Sequence, residues 1–212
     1  MVITVNGERK EIPECFEALT AQQYELMVPE FAKEIDERDH FRIFQILAGT
    51  EFADFHATAE NEVTIWNAIR WLYEQPFVFG DVPKVLKIND KVVIIPKDIK
   101  KLSIGQNIHL KQLLSETTYL EENISAACAI YMQPLYEERK FDFDRAMELK
   151  KVIEGMPAYL IRPIGFFLLN HALPHGRKQT SFLRRMISSP MQRCTAMWQR
   201  WQKSSDLYLS RT

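Results

Sequence analysis

Cysteine is scarce in this sequence, and the three cysteines lie far apart. Cys15, Cys128 and Cys194 form no CxxC pair and are odd in number. This pattern argues against a disulfide framework and against a cluster of thiolates that bind a metal. We therefore expect thiols that are buried or neutral.

Glycine is also scarce, and its seven residues are scattered singly. The phosphate-binding patterns GxGxxG and GxxxxGK(S/T) are missing, and so are the GxSxG and HExxH patterns of common hydrolases. We therefore predict that the chain is not an enzyme and has no catalytic residues, cofactor or metal site. An enzyme of unfamiliar type is a third hypothesis, which would require a deep polar pocket with mutually hydrogen-bonded titratable groups.

No apolar run reaches the roughly 20 residues that a membrane span needs. The longest, from Ala158 to Leu173, is interrupted by Arg162, Pro163, Asn170 and His171. The N-terminus lacks the basic and apolar blocks of a signal peptide. We predict no membrane span and a cytoplasmic location. We also predict that the apolar run is a buried central helix, kinked or begun anew at Pro163.

The charge is unevenly distributed, although the net charge is only −1. From Arg177 onward there are eight Lys or Arg residues and one acidic residue, which gives this segment a charge of +7. Residues 1–176 hold 19 basic and 27 acidic residues, which gives −8. A basic C-terminal arm of this kind indicates contact with the acidic body or with an acidic partner.

The most informative pattern is an internal repeat. Residues 5–23 align without gaps on residues 88–106, at an offset of 83, with five identical pairs: Asn6/Asn89, Ile12/Ile95, Pro13/Pro96, Leu19/Leu102 and Gln23/Gln106. In each copy two β-type runs flank Asn-Gly or Asn-Asp, which favours a hairpin turn. A proline then ends the second strand. The alternative is that two unrelated hairpins converged on this pattern.

A capping signal follows each hairpin. Thr20 and Ser103 are candidate N-caps, and Gln23 and Gln106 stand three residues later, as a capping box requires. Each hairpin is therefore predicted to lead into a helix by the same device.

Apolar spacing predicts further helices in both halves. The predicted ranges are Asp39 to Leu47, ended by Gly49; Glu60 to Glu74; Asn123 to Met132; and Asp144 to Glu154, ended by Gly155. Trp66 is predicted in the core, whereas Trp71 lies off the apolar stripe and is a candidate interface residue.

These elements predict an α+β fold, mainly α-helical, of two pseudo-repeated units. The first hairpin unit is residues 1–83, and the second hairpin unit is residues 84–176, with one core shared between them. In each, a β-hairpin precedes helices. Residues 177–212 are predicted to form a basic, amphipathic helical arm.

The arm carries a candidate partner-binding set. Ser189 and Pro190 predict a helix start. Apolar and aromatic residues then recur at helical spacing, with cations on other faces: Met191, Trp198, Trp201 and Tyr208, with Arg193, Arg200 and Lys203. Three interpretations stay open: packing on the chain's own body, docking as a helix in a partner's groove, or contact with nucleic acid or a membrane surface.

Two other groups have simpler structural explanations. His171 and His175 have a spacing that can chelate a metal on one helix face, but Pro174 breaks that helix, so a helix-end or surface role is predicted. Asp142 and Asp144 are predicted to lie at a helix start, where the helix dipole favours acids.

Four stretches together resemble a known class of protein: IPECFEALTAQQYELM, FRIFQILAGTEF, IWNAIRWLYEQP and KINDKVVIIPKDIKKLSIGQ. In this order they resemble small proteins of tailed phages and prophages, particularly of Bacteroidota hosts, which act as tail-assembly chaperones or minor tail-morphogenesis components. The resemblance covers roughly residues 1–175 and rests on structural motifs, and the basic arm departs from it.

The resemblance implies a non-catalytic phage protein that binds other structural subunits during tail assembly. Its expected partners are phage structural or tail proteins, with self-association also open, and its expected location is the host cytoplasm or the virion. The alternative function is a nucleic-acid-binding accessory protein that acts through the basic arm.

Overall fold

The computed structural model describes residues 1–5, 8–32, 37–49, 59–74, 80–96 and 101–172. The chain divides into two compact bodies, Met1–Gln179 and Thr180–Thr212. The second body lies outside the described residues, and so does the predicted arm helix. The predicted class is confirmed, because the first body is mainly helical and has two small antiparallel hairpins.

Both predicted hairpins are present. β1 (Val2–Val5) pairs with β2 (Glu8–Glu11), and β3 (Val85–Ile88) pairs with β4 (Lys91–Ile94), each pair forming its own two-stranded sheet. Asn89 in the second turn has a φ of 51°, a left-handed conformation that asparagine tolerates. The Asn6-Gly7 turn lies outside the described residues.

Eight α-helices and two 3-10 turns are the other regular elements of the described residues. The 3-10 turns are Phe16–Ala18 and Leu120–Asn123. The helices are α1 Ala21–Ala32, α2 Glu37–Ala48, α3 Ala59–Ile69, α4 Trp71–Glu74, α5 Ile104–Glu116, α6 Ile124–Glu137, α7 Phe143–Glu154 and α8 Ala158–Ala172.

Both predicted capping boxes form. The Gln23 backbone N–H donates to Thr20 Oγ1 over 3.1 Å, and the Thr20 N–H donates to Gln23 Oε1 over 3.0 Å. Ser103 and Gln106 make the same two bonds, at 3.3 and 2.9 Å. Each box satisfies backbone donors that a helix start leaves without partners, so α1 and α5 begin where the sequence predicts.

Each capping glutamine also donates to a carbonyl 24 residues later, and Gln106 Nε2 donates in addition to the Tyr131 carbonyl over 3.3 Å. Gln23 Nε2 donates to the Leu47 carbonyl over 2.9 Å, and Gln106 Nε2 donates to the Ile130 carbonyl over 2.8 Å. The Leu47 carbonyl lies at the end of α2, where intrahelical donors run out. The Ile130 carbonyl lies within α6 but faces Pro134, which has no N–H to donate. A glutamine side chain thus supplies the missing donor in two settings, at a helix end and opposite a proline.

The two hairpin units have the same order of strands and first three helices, although their 3-10 turns lie at different places. Strands β1 and β2 map on β3 and β4 at an offset of 83, and α1 starts 83 residues before α5. The starts of α2 and α6 differ by 87 and those of α3 and α7 by 84, so the constant offset does not continue beyond the first helix. Several matched positions are also buried alike, among them Ile3/Leu86, Ile12/Ile95, Met27/Leu110 and Phe31/Leu114. Common ancestry of the units stays a prediction.

The core centres on α6 and α8. Every residue of α6 from Ile124 to Gln133 is buried. As predicted, α8 is a buried helix, and it is one helix that continues through Pro163. The two helices approach closely at Gly165, where an added Cβ would lie 2.7 Å from the Ile124 backbone. Glycine is therefore required there by contact rather than by its φ angle.

The structure corrects the predicted helix from Glu60 to Glu74. That segment breaks at Arg70 into α3 and the short α4, so the helical spacing of α3 does not extend to Trp71. The prediction of Trp71 as an interface residue was wrong, because its side chain is only 7% exposed. Trp66 is half-buried and stacks on Tyr73 with the ring centroids 5.6 Å apart.

The remaining predicted elements are confirmed with shifted ends. α6 runs past the predicted Met132 to Glu137. Gly49 ends α2 with a φ of 61°, and Gly155 caps the end of α7. Asp142 is the N-cap of α7, where its carboxylate accepts from the Arg145 N–H over 3.2 Å. Asp144 lies in the first turn, as predicted.

Candidate functional site

The predicted partner-binding residues of the arm lie outside the described residues: Met191, Arg193, Trp198, Arg200, Trp201, Lys203 and Tyr208. Their role stays a prediction. The described residues hold two other features with chemical content, an exposed apolar surface on the second hairpin unit and a buried polar cluster between the units.

The first feature is the outer face of the second hairpin. Val85 is the Cα partner of Ile94, and Lys87 is the partner of Val92, so these four side chains share one face. Val85 is 52% exposed, Val92 64% and Ile94 71%. The opposite face packs inward through Leu86, Ile88 and Val93. We name Val85, Val92 and Ile94 the hairpin patch.

The first hairpin has a different outer face. Val2, which corresponds to Val85, is also exposed. Arg9 and Glu11, which correspond to Val92 and Ile94, are exposed and charged. Charge on a short two-stranded edge discourages association, whereas exposed β-branched residues invite it. Among the hairpin side chains that the structure describes, Val92 and Ile94 thus make the outer face of the second hairpin more apolar than that of the first.

Helix α5 shows the same contrast. Ile104 is 81% exposed and Ile108 57% exposed, one turn apart on the same side of the helix. We name these two residues the α5 patch. The corresponding residues of α1 are Ala21 and Glu25, which are 0% and 8% exposed.

The face of α1 is buried because the chain returns to it after α7. The Ala21 N–H donates to the Met156 carbonyl over 2.8 Å, and the Ala158 N–H donates to the Leu19 carbonyl over 2.7 Å. Thr20 and Pro157 form an isolated antiparallel bridge. The junction between α7 and α8 therefore lies directly on the start of α1.

The second feature is a buried polar cluster between α1, α6 and α8. It consists of Tyr24, Glu25, Glu121, Ser125, Cys128 and Arg162, each at most 8% exposed. Arg162 Nε donates to the Tyr24 hydroxyl over 2.7 Å, and its guanidinium lies 5.3 Å from the Phe166 ring centroid. Burial raises the pKa of Tyr24 to about 12, against the opposing effect of the Arg162 charge. Tyr24 is therefore a neutral hydroxyl acceptor at physiological pH.

Glu25 links α1 to the start of α6. Its carboxylate accepts from the Ser125 N–H over 2.6 Å. Burial raises the pKa of Glu25 to about 7, and the bonds to Ser125 oppose that rise. Burial likewise raises the pKa of the Cys128 thiol well above its usual value. Cys128 is thus a neutral thiol, as expected, and it donates to the Ile161 carbonyl over 3.3 Å.

The cluster joins helices. Its hydrogen bonds run from α8 to α1 and from α6 to α1 and α8, and its six side chains are closed to solvent within the described residues. Buried polar groups of this kind specify how helices pack, because an unpaired group there is costly. Sequence reasoning did not single out Glu25 or Tyr24. Arg162, a charge inside an apolar run, was the one available signal.

The described residues contain neither a group of side chains that could hold a metal ion nor a helix that could span a membrane. Within them, three or more His, Cys, Asp or Glu side chains nowhere converge in a geometry that could hold a metal ion. His175 and the side chain of His171 lie outside those residues. In the same part of the chain, no helix has the length and apolar character that a bilayer span requires.

Comparison of the chain with protein-family models, with curated proteins and with solved structures gave no match.

Proposed function

We propose that this chain is a non-catalytic phage protein that binds other structural subunits during tail assembly, as an assembly chaperone or a minor structural component. The resemblance of its four quoted stretches to tail-morphogenesis proteins supports the phage context. The observation that carries the binding role is the hairpin patch, which presents Val92 and Ile94 where the matching hairpin presents Arg9 and Glu11.

The hairpin patch suits a partner with an apolar surface of its own. Lys84, Lys87 and Lys91 are exposed beside the patch. An apolar centre with a charged rim is the usual anatomy of a specific protein interface. The fitting partner is therefore a structural subunit that offers apolar residues within an acidic border. Such a protein would act in the cytoplasm of the infected host and, as a minor component, in the virion.

The test exchanges the outer face of one hairpin for that of the other. The double variant Val92→Arg with Ile94→Glu introduces the residues that the first hairpin carries, so the hairpin should still fold. Val2→Arg is the matched control, because Val2 is 63% exposed on the outer face of the first hairpin. Each chain is co-expressed with the tail subunits of its phage, purified by an affinity tag and measured for mass by light scattering.

We expect a tail subunit to co-purify with the native chain and with Val2→Arg, and at least tenfold less of it with the double variant. Purification of the native chain without any tail subunit would refute the proposal. A native homodimer that the double variant converts to a monomer would show that the patch binds a second copy instead.

The charge of the arm favours a second candidate function, binding of nucleic acid. Residues 177–212 carry a net charge of +7. Binding through such a segment must weaken steeply with added salt, since it depends on counterion release. A chain that lacks residues 177–212 should then lose its affinity for DNA and RNA, and equal affinity of both chains would exclude this function.

A further inference from the structure

Glu25 occupies an unusual position, since its carboxylate serves the start of a helix far along the chain. The first residue of α6 follows Asn123, whose side chain makes no capping bond. The Ser125 N–H, in the first turn of α6, instead donates to Glu25 Oε1 over 2.6 Å. The bond satisfies a backbone donor that the helix start leaves without a partner, so α1 caps α6 from outside. The helix dipole and this bond favour a charged carboxylate, but burial of Glu25 disfavours the charge and is the larger effect.

The surroundings of Glu25 compensate its charge poorly. Lys150 and Glu154 on α7 exert opposite effects on it and pair with each other over 3.0 Å. Arg162 on α8 is bonded to Tyr24, and Glu121 and Cys128 from the neighbouring 3-10 turn and α6 offer no positive charge. Helix α2, which also packs on α1, buries Ile43, Phe44 and Leu47. The carboxylate is thus buried without a cation of its own.

We propose that Glu25 is a proton-controlled joint between the two hairpin units, which holds α1 firmly on the start of α6 when it is protonated and loosens that contact when it ionises. The corresponding residue of the second hairpin unit is Ile108, which is exposed. The device therefore belongs to the contact between the units and not to the repeated unit itself. It does not depend on the proposed function.

The direction of the effect follows from the geometry and the raised pKa. The folded state holds the Glu25 proton up to about pH 7, whereas an exposed glutamate loses it near its ordinary value of 4.5. Between those two values the unfolded chain binds fewer protons than the folded one. Stability from this group is therefore complete below about pH 4.5 and falls as the pH rises to about 7, where the loss levels off.

The experiment compares the native chain with Glu25→Gln, since glutamine imitates the protonated acid and can still accept from the Ser125 N–H. Glu17→Gln, at an exposed residue of the 3-10 turn, is the matched control. Urea unfolding is followed for all three full-length chains from pH 4.5 to pH 8. We expect the unfolding constant of the native chain, relative to Glu25→Gln, to rise about a hundredfold over this range. The Glu17→Gln chain should follow the native one.

A second measurement keeps the proposal testable if Glu25→Gln does not fold. Carbon-13 NMR of the native chain, labelled at glutamate carboxyls, should show one buried carboxyl that titrates near pH 7, with the Ser125 amide shift following the same curve. Parallel pH profiles for the native and Glu25→Gln chains would overturn the proposal. So would a Ser125 amide that reports a midpoint near 4.5.

Discussion

The two hairpin units share the same local features but differ in which helix face they expose. Both begin with a hairpin, enter the next helix through a capping box, and send a glutamine side chain to a carbonyl 24 residues later. Yet α1 buries Ala21 and Glu25 where α5 exposes Ile104 and Ile108. The first unit has turned this face inward against the rest of the chain, and the second unit leaves it open.

The comparison shows that burial of a helix face depends on the segment that packs against it. The junction of α7 and α8 hydrogen bonds to Leu19 and Ala21 and so closes the α1 face. The first unit is thereby committed to internal packing, and its outer hairpin face is charged. The first unit exposes Val2, Leu26 and Val63, but the hairpin patch and the pair Ile104 and Ile108 belong to the second unit. The proposed binding role therefore lies with the second unit.

The largest expected effect comes from the two capping glutamines. Gln106→Ala should lower the free energy of unfolding by about 3 kcal/mol, because it removes a cap and leaves the buried Ile130 carbonyl opposite Pro134 without a donor. Gln23→Ala should cost about 1 kcal/mol less, since water can reach the part-buried Leu47 carbonyl. Urea unfolding measures both. Equal losses would mean that the missing N–H of Pro134 does not make the bond from Gln106 more important than the bond from Gln23. Gln112→Ala, at an exposed site, is the control.

The next effect tests the close packing of α8 on α6 in the second unit. Gly165→Ala should cost about 2 kcal/mol, because the new methyl group would meet the Ile124 backbone and force α8 away from α6. Gly80→Ala is the control, as an added Cβ there meets nothing within 4 Å. Thermal unfolding of both variants measures the loss. A stable Gly165→Ala chain would show that α8 can shift without cost.

The N-caps should behave alike in both units. Thr20→Ala and Ser103→Ala each remove one capping acceptor, and each should cost about 1 kcal/mol. The measurement is again the free energy of unfolding in urea. A difference of more than about 1 kcal/mol between them would show that the boxes are not equivalent in energy, whatever their geometry.

The smallest effect concerns how the second helix of each unit ends. Gly49 ends α2 with a φ of 61°, and Glu138 ends α6 with a φ of 57°. Glu138→Gly should therefore stabilise the chain by about 0.5 kcal/mol, because glycine adopts this conformation without strain. Gly49→Ala should destabilise it by about 1 kcal/mol. If Glu138→Gly is destabilising, contacts of the glutamate side chain outweigh the backbone strain.

Local signals made much of the fold predictable. The Asn-Asp turn, the strand-ending Pro96 and the pair Ser103 and Gln106 each act within a few residues, so their effect can be read from the sequence. The helical periodicity failed at Arg70, where α3 ends and Trp71 turns inward. A break of that kind is set by packing, and the spacing of apolar residues does not reveal it.

Little of the candidate site could be predicted. Val92 and Ile94 fit a β-strand whether it is buried or exposed, since β-branched residues favour strands in either setting. Glu25 looks like an ordinary helix residue until α6 is placed beside it. The arm residues, for which the sequence pattern is stronger, lie outside the described residues.

By itself the sequence determined where the hairpins turn, where the helices begin and which residues alternate inward, because those choices depend on neighbours along the chain. Only the tertiary structure decided that Glu25 is buried at a helix start, that Gln23 and Gln106 reach distant carbonyls, and that Ile104 and Ile108 are left exposed. Burial is a relation between segments far apart in sequence, and it exists only once α6, α7 and α8 have packed against the first hairpin unit.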